Sequence, residues 1–356
     1  MATDLTPPDA SVVLDLIEAF RRSKVLFAGV ALGIFDALAA GPKSAAALAA
    51  DPAANADALE RLLDACVGLG LLDRVPEGYA NTPAAAAYLC RTSPTRITGY
   101  INYSNDVLWQ LWSHLEDAVR EGTHRWKQTY GWDGPIFSHF FRTEETKREF
   151  LMGMHGQGLL SSPHVVSAFD LGRFQTLVDL GGGTGHLAVA ACRRYPDLRA
   201  VVYDLADAAP LAREMTADTP VAERITIASG DFFTDPLPPG DLYAVGRILH
   251  DWSEEKTLRL LGRILERLPP GGALLIAEKL LNDDKAGPRW AQMQSLNMLV
   301  CTEGKERTLA EYEAILSRAG FADVRGCRTP SPLDAVLATK PPRPSACRAA
   351  AQMSAR

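Results

Sequence analysis

Asp179-Leu180-Gly181-Gly182-Gly183-Thr184-Gly185 decides how this chain is read. The apolar Leu177-Val178-Asp179-Leu180 reads as a strand, and His186 to Arg194 as a helix. The glycines therefore sit at a strand–turn–helix junction, the context a ligand-binding loop requires. Glycine lets the backbone turn sharply and approach a ligand closely. Four glycines in five residues are more than a bare turn needs. A dinucleotide loop is spaced GxGxxG, the last glycine allowing close helix–sheet packing. Here that last place holds His186, and the spacing is GxGxG. Asp179 ends the strand, and a carboxylate there suits a cationic ligand better than a pyrophosphate. S-adenosylmethionine carries an ammonium and a sulfonium and no phosphate, so it fits the loop better.

Working outward, short apolar runs alternate with helical segments. Ala200 to Tyr203, Ile225 to Ile227, Leu242 to Leu249 and Ala273 to Ala277 read as further strands, with a helix near Glu254 to Leu268. This alternation predicts an α/β fold: a Rossmann-like parallel sheet with helices on both faces. Segments near Val324 and Ala335 to Ala338 suggest an edge hairpin. Asp204 ends the second strand, where a carboxylate can accept both ribose hydroxyls. Gly230-Asp231-Phe232 follows the third, where Asp231 can receive an adenine amino group and Phe232 can stack on the ring. His250-Asp251-Trp252 lies just past the fourth strand, and such sheets bind ligands beyond the carboxyl ends of their strands. A phenol, with pKa about 10, is a poor nucleophile until deprotonated, and a histidine titrating near about 6.5 can take its proton. Such a base needs an acceptor on its other nitrogen, for which Glu278 and Glu306 are the candidates. Asp251 or Ser253 could cap the helix at Glu254.

Ahead of this domain the texture is Ala/Leu-rich and helical. Ser11 to Arg21, Val25 to Leu38 and Leu59 to Leu69 read as helices, followed by a hairpin turning at Glu77-Gly78. Three helices and a small hairpin describe a winged helix. Its recognition-helix position, Ala56 to Cys66, carries Arg61 against Asp57, Glu60 and Asp64, the wrong balance for phosphates. A dimerisation module is the better reading. Asn105 to Gly122 reads as one amphipathic helix, Thr123 to Pro135 as a loop, and Phe137 to Phe169 as helical again. The expected organisation is a winged-helix-like dimerisation domain over 1–105, linking helices over 106–170, a cofactor-binding catalytic domain over 171–341 and a disordered tail over 342–356.

The net charge of −6 gives no general attraction for nucleic acid or anionic membrane. Cys66, Cys90, Cys192, Cys301, Cys327 and Cys347 form no CxxC pair, so neither a disulfide framework nor a metal site is expected. The N-terminus lacks the pattern of a signal peptide, and no apolar run reaches the roughly 18 residues of a membrane span. A cytoplasmic protein is the expectation.

Several motifs together carry a resemblance: GYANT, HLEDAVREG, DLGGGTG, GDFFTDPLP, RILHDW, SLNMLVCTEGKERT and LDAVLATK. From about residue 12 to residue 340 the chain resembles the caffeate/hydroxyindole family of class I S-adenosylmethionine-dependent O-methyltransferases, above all its acetylserotonin-type members. The resemblance implies a homodimer with intertwined N-terminal domains, one partner contributing to the other's pocket. It implies His250 as catalytic base flanked by Glu278 and Glu306. It implies Gly181, Gly183, Asp204, Gly230, Asp231, Phe232 and Arg247 at the cofactor, and Met154, Asp251 and Asn297 at the substrate. Two places depart from the acetylserotonin pattern. Cys301 stands where those members have a glutamine, and Phe141 and Gly158 replace an aromatic pair near the cofactor. The reaction type survives these changes, while the acceptor widens to a phenol or hydroxyindole in general. Two other classes remain as alternatives. A winged-helix regulator that only senses a ligand is opposed by the acidic charge, and a nicotinamide-dependent oxidoreductase by the glycine spacing.

Overall fold

A computed structural model describes residues 8–50, 53–134, 138 and 143–342. Phe141 and the expected tail beyond residue 342 lie outside the described residues. Contacts divide the chain into two compact units, meeting between Val107 and Leu108.

The first unit opens on α1 (Ser11–Ala31), one continuous helix where a break had been expected after Arg21. Arg22, Ser23 and Lys24 are all compatible with a helix, and nothing there interrupts it. The turn comes later, at Gly33, whose φ of +68° suits a residue without Cβ. Next come α2 (Ile34–Ala37), α3 (Ala45–Ala50), α4 (Ala56–Gly68), the antiparallel hairpin β1 (Leu72–Val75) and β2 (Gly78–Asn81), then α5 (Pro83–Tyr88) and α6 (Thr98–Tyr103). Val30, Ile34, Phe35, Leu48, Leu59, Leu63, Leu72 and Tyr79 close the core between them. Arg61, the cation of the recognition-helix position, is engaged by Asp57 at 2.5 Å.

The expected single helix over Asn105–Gly122 is interrupted. A π-turn at Ser104–Leu108 runs into α7 (Trp109–Trp112), and α8 (Leu115–Glu121) restarts after Ser113 and His114. After α9 (Trp126–Tyr130), α10 (Glu144–Val165) begins with a capping box in which Thr143 and Thr146 satisfy each other's amides.

The sheet then follows: β3 (Thr176–Leu180), α11 (His186–Arg194), β4 (Arg199–Asp204), α12 (Ala209–Ala217), β5 (Ile225–Ser229), β6 (Leu242–Gly246), α13 (Glu254–Arg267), β7 (Ala273–Glu278), α14 (Arg289–Cys301), α15 (Leu309–Ala319), β8 (Ala322–Cys327) and β9 (Asp334–Thr339). Seven strands lie in the order β5-β4-β3-β6-β7-β9-β8. The first five are parallel, and β9 and β8 add an antiparallel edge. Parallel strands buried on both faces need apolar residues in both phases. Leu177, Ala200, Val202 and Leu275 pack on the face covered by α11, whereas Val178, Leu180, Tyr243, Val245 and Ile276 pack under α13 and α15. The chain passes from β3 to β4 on one side and returns to β6 on the other. That makes a crevice at the carboxyl ends of β3 and β6, where such sheets hold ligands. No helix among the described residues is long and apolar enough to cross a membrane.

Candidate active site

The glycine turn leaves β3 into this crevice. Gly181, Gly183 and Gly185 have φ of +65°, +53° and +79°, conformations that L side chains avoid. Crowding selects glycine as well: a Cβ on Gly181 would fall 2.3 Å from Ile248, and one on Gly182 2.9 Å from the Asp179 carboxylate. Gly183 is different, for a Cβ there would meet nothing nearer than Leu151 at 3.9 Å, so its outer side is open.

Around the turn stand the other residues read as cofactor ligands. Asp204, at the end of β4, accepts from the Gly183 and Leu205 amides, both at 2.7 Å. Asp179 is buried, and its Oδ2 has no hydrogen-bond partner. Burial and the neighbouring Asp204 push its carboxyl up to about 7. A buried carboxylate with one unpartnered oxygen, beside the half-buried Asp204, fits the ammonium of S-adenosylmethionine. Phe232 reaches within 3.6 Å of a Cβ built on Gly181 and packs edge-on against Phe233. The Asp231 carboxylate is partly committed to its own turn, accepting from the Phe233 amide at 2.7 Å. Gly230 has no room for a side chain, because a Cβ would strike the Tyr203 hydroxyl oxygen at 2.0 Å.

The fourth strand was expected to run to Leu249, but β6 stops at Gly246. Arg247 turns the chain with φ +56° while its amide donates to the Ala277 carbonyl at 3.1 Å. This strained residue begins the turn that carries His250. Ser253, not Asp251, caps α13, its hydroxyl accepting from the Lys256 amide.

The turn is held from below by Glu278, at the end of β7. Its Oε1 accepts the amides of Ile248, Leu249 and His250 at 3.2, 2.7 and 3.1 Å, and Tyr312 donates to its other oxygen. Arg307 fixes the Leu249 carbonyl at 3.0 Å. Gly304 passes so close that a Cβ would lie 2.3 Å from the His250 carbonyl oxygen. Of the two candidates for the second imidazole nitrogen, Glu306 is the partner, 2.6 Å from His250 Nδ1, whereas Glu278 holds backbone. His250 Nε2 lies on the other side of the ring, 3.8 Å from Asp251 Oδ1. Burial alone would lower the imidazole, but Glu306, Asp251 and Glu278 outweigh it and raise it to about 9. Burial pushes Asp251 up to about 7, against the pull of His250. Ligand atoms of His250, Glu278 and Glu306 lie within 4.8 Å of one another. Glu278 bonds to the turn and to Tyr312, and one oxygen of Glu306 bonds to His250 while its other oxygen is buried without a partner.

Asn297 and Cys301 lie one turn apart on α14. The Trp112 indole donates to Asn297 Oδ1 at 2.8 Å, the Cys301 thiol reaches the same oxygen at 3.6 Å, and Trp126 donates to the Cys301 carbonyl at 2.7 Å. The Cys301 thiol is pushed up by burial and by Asp251. Met154 is half-buried on α10, beside His155. Sequence reasoning missed Tyr312, Trp112, His155 and His186, whose partners are far away in the chain. Only His186 carried a local signal, as the residue that breaks the dinucleotide spacing.

Fold and site together define a class I S-adenosylmethionine-dependent methyltransferase. Comparison with known proteins carries this further. The family model of the O-methyltransferase domain matches residues 112–322, and that of the O-methyltransferase dimerisation domain matches residues 14–91. The chain belongs to the O-methyltransferase family. It is 40% identical to acetylserotonin O-methyltransferase from Homo sapiens over 333 residues, covering 92% of this chain and 96% of that one. It is 42% identical over 337 residues to a human probable bifunctional dTTP/UTP pyrophosphatase/methyltransferase protein; these cover 94% of this chain but about half, 54%, of that protein. The structure of human N-acetylserotonin methyltransferase in complex with SAM superposes with a TM-score of 0.89 at 38% identity, covering 95% and 99% of the two chains. PigF with SAH follows at 0.85 and 28%, covering 93% and 100%. S-adenosylmethionine is the cofactor, and the chain is an O-methyltransferase of the hydroxyindole type.

Proposed function

We propose that this enzyme moves the methyl group of S-adenosylmethionine to the hydroxyl of a small aromatic acceptor, a phenol or hydroxyindole, with His250 as general base. The observation that carries this reading is the buried His250–Glu306 pair at 2.6 Å, which leaves Nε2 as the nitrogen available to a substrate. When bound, the cofactor supplies an electrophilic methyl on sulfur. Glu306 fixes the imidazole's orientation and stabilises the imidazolium that forms when Nε2 takes the hydroxyl proton. Glu278 and Tyr312 hold the turn rigid, so the base does not wander from the oxygen it serves. Asp251 and Asn297, with Met154 and Cys301, are assigned to the acceptor pocket. Asp179, Gly181, Gly183, Asp204, Gly230, Asp231, Phe232 and Arg247 are assigned to the cofactor.

Residues 1–105 are proposed as a winged-helix-like dimerisation domain, 106–170 as linking helices and 171–341 as the catalytic domain. The assembly is proposed as a cytoplasmic homodimer that binds neither nucleic acid nor membrane. A panel of phenols and hydroxyindoles incubated with methyl-labelled S-adenosylmethionine tests the acceptor class. His250→Ala tests the base: turnover is expected to fall by roughly 100- to 10,000-fold, with S-adenosylhomocysteine affinity unchanged by calorimetry. Retained turnover removes His250 from the role.

A further inference from the structure

One face of α10 closes over the glycine turn. Leu151 faces Gly183. A turn further on, His155 Nδ1 is 2.8 Å from the hydroxyl of the buried Thr184, and Ser162 Oγ is 2.8 Å from His186 Nδ1. Between them comes Gly158. A Cβ there would fall 2.3 Å from His186 Cδ2 and 2.4 Å from both Cγ and Cε1. Near-equal distances to three ring atoms mean that the imidazole lies face-on against the helix backbone, in space that any side chain at 158 would take. Glycine at 158 and the seat of His186 after the last loop glycine are therefore one structural feature.

The ring is anchored at one end. The hydroxyl of Ser162 can donate to Nδ1, and in that tautomer the imidazole proton is on Nε2. Burial, with His155 and Arg247 close by, pushes His186 down to about 3, so the ring stays neutral and offers a single N–H. His186 is half-buried, as befits a group at the wall of a crevice. Arg247 brings a positive charge to this wall and reaches Gln157 at 3.4 Å. On the strand below the same loop, Asp179 keeps its unpartnered buried oxygen.

We propose that His186 is a cofactor-binding residue whose Nε2–H, with Arg247, holds the carboxylate of S-adenosylmethionine, while Asp179 takes the ammonium. The inference rests on S-adenosylmethionine as the cofactor but not on the nature of the acceptor or on His250. It assigns the two charges of the cofactor's amino-acid end to opposite charges across the glycine turn, and it gives Gly158 a reason to be glycine.

Calorimetry with two nucleosides tests it: S-adenosylhomocysteine, and 5′-methylthioadenosine, which lacks the amino acid. His186→Ala is expected to weaken S-adenosylhomocysteine about 10- to 100-fold, the worth of one hydrogen bond to a charged group. Affinity for 5′-methylthioadenosine should stay within about 2-fold, since it has no carboxylate to lose. His186→Gln, which keeps an N–H donor, should recover most of the loss. Gly158→Ala displaces the ring and should reproduce the loss in the native chain, yet add none in the His186→Ala background. Equal weakening of both nucleosides, no weakening of either, or additive losses in the double variant would overturn the proposal. If the native chain binds neither nucleoside, the cofactor assignment fails instead.

Discussion

His250 is held by Glu306 at 2.6 Å and raised to about 9, so it carries a proton at neutral pH until something opposes that charge. A general base acts only when neutral, so turnover should climb as pH rises through the imidazole's pKa. Glu306 is the nearest of the negative charges that raise it. Glu306→Gln keeps a hydrogen-bond acceptor but removes that charge, so the acid limb of kcat/KM is expected to move to lower pH while the plateau falls. A pH profile that keeps its limb in place would separate Glu306 from the titration of His250. Asp179 makes a second test. Its carboxyl, raised to about 7 by burial and Asp204, is partly protonated near neutrality, and a bound ammonium would lower it again. Binding of S-adenosylhomocysteine at pH 6.5 should therefore release protons, read as a binding enthalpy that depends on buffer ionisation heat. Asp179→Asn should abolish that dependence and weaken binding. An unchanged dependence would place the ammonium elsewhere.

Elements deliver these residues to one crevice, and α15 shows how. Its capping box, Thr308 with Glu311, begins just after Glu306 and Arg307, so the cap fixes the segment that holds the His250 turn. Thr308→Ala is expected to cost about 1 kcal/mol, typical of a lost N-cap hydroxyl. That should appear as a Tm lower by about 2–4 °C, with a smaller fall in turnover than removal of Glu306 itself. A fall in turnover with no change in Tm would contradict the capping role. The glycine turn, the parallel strands and the His250-Asp251 pair were legible in the sequence because each is a local pattern: a strand, its turn and the residue just past its end. The link of Trp112 to Asn297 and the seating of His186 on Gly158 were not, because they join segments far apart in the chain through shape rather than motif. Boundaries failed where no residue marks them. α1 runs unbroken through Arg22-Ser23-Lys24, whereas β6 ends early because Arg247 adopts a positive φ that its residue type does not announce.

At the scale of the molecule, the first unit leaves apolar surface to be covered. Along the first half of α1, Val12, Val13, Leu14, Leu16, Ile17 and Phe20 are 55% to 69% exposed. A run of large apolar side chains this exposed is costly in water for a lone chain and marks a site of association. Leu14, Leu16, Ile17 and Phe20 begin the segment matched by the dimerisation-domain model, from residue 14. A homodimer related by a two-fold axis would bury the same patch from each copy. Light scattering on the purified chain should thus report twice the 38.5 kDa chain mass, and Ile17→Asp with Phe20→Asp should bring it to one chain. Because both substitutions lie in solvent within one unit, the folded core around Phe35, Leu63 and Tyr79 should survive, with little change in circular dichroism. The residues assigned to the cofactor, from Asp179 to Arg247, all lie in the second unit, so the monomeric variant should still bind S-adenosylhomocysteine. If its turnover is lost while that binding persists, the acceptor pocket needs the second copy, as the family resemblance implies. If the substituted chain remains dimeric, the exposed face of α1 is not the interface.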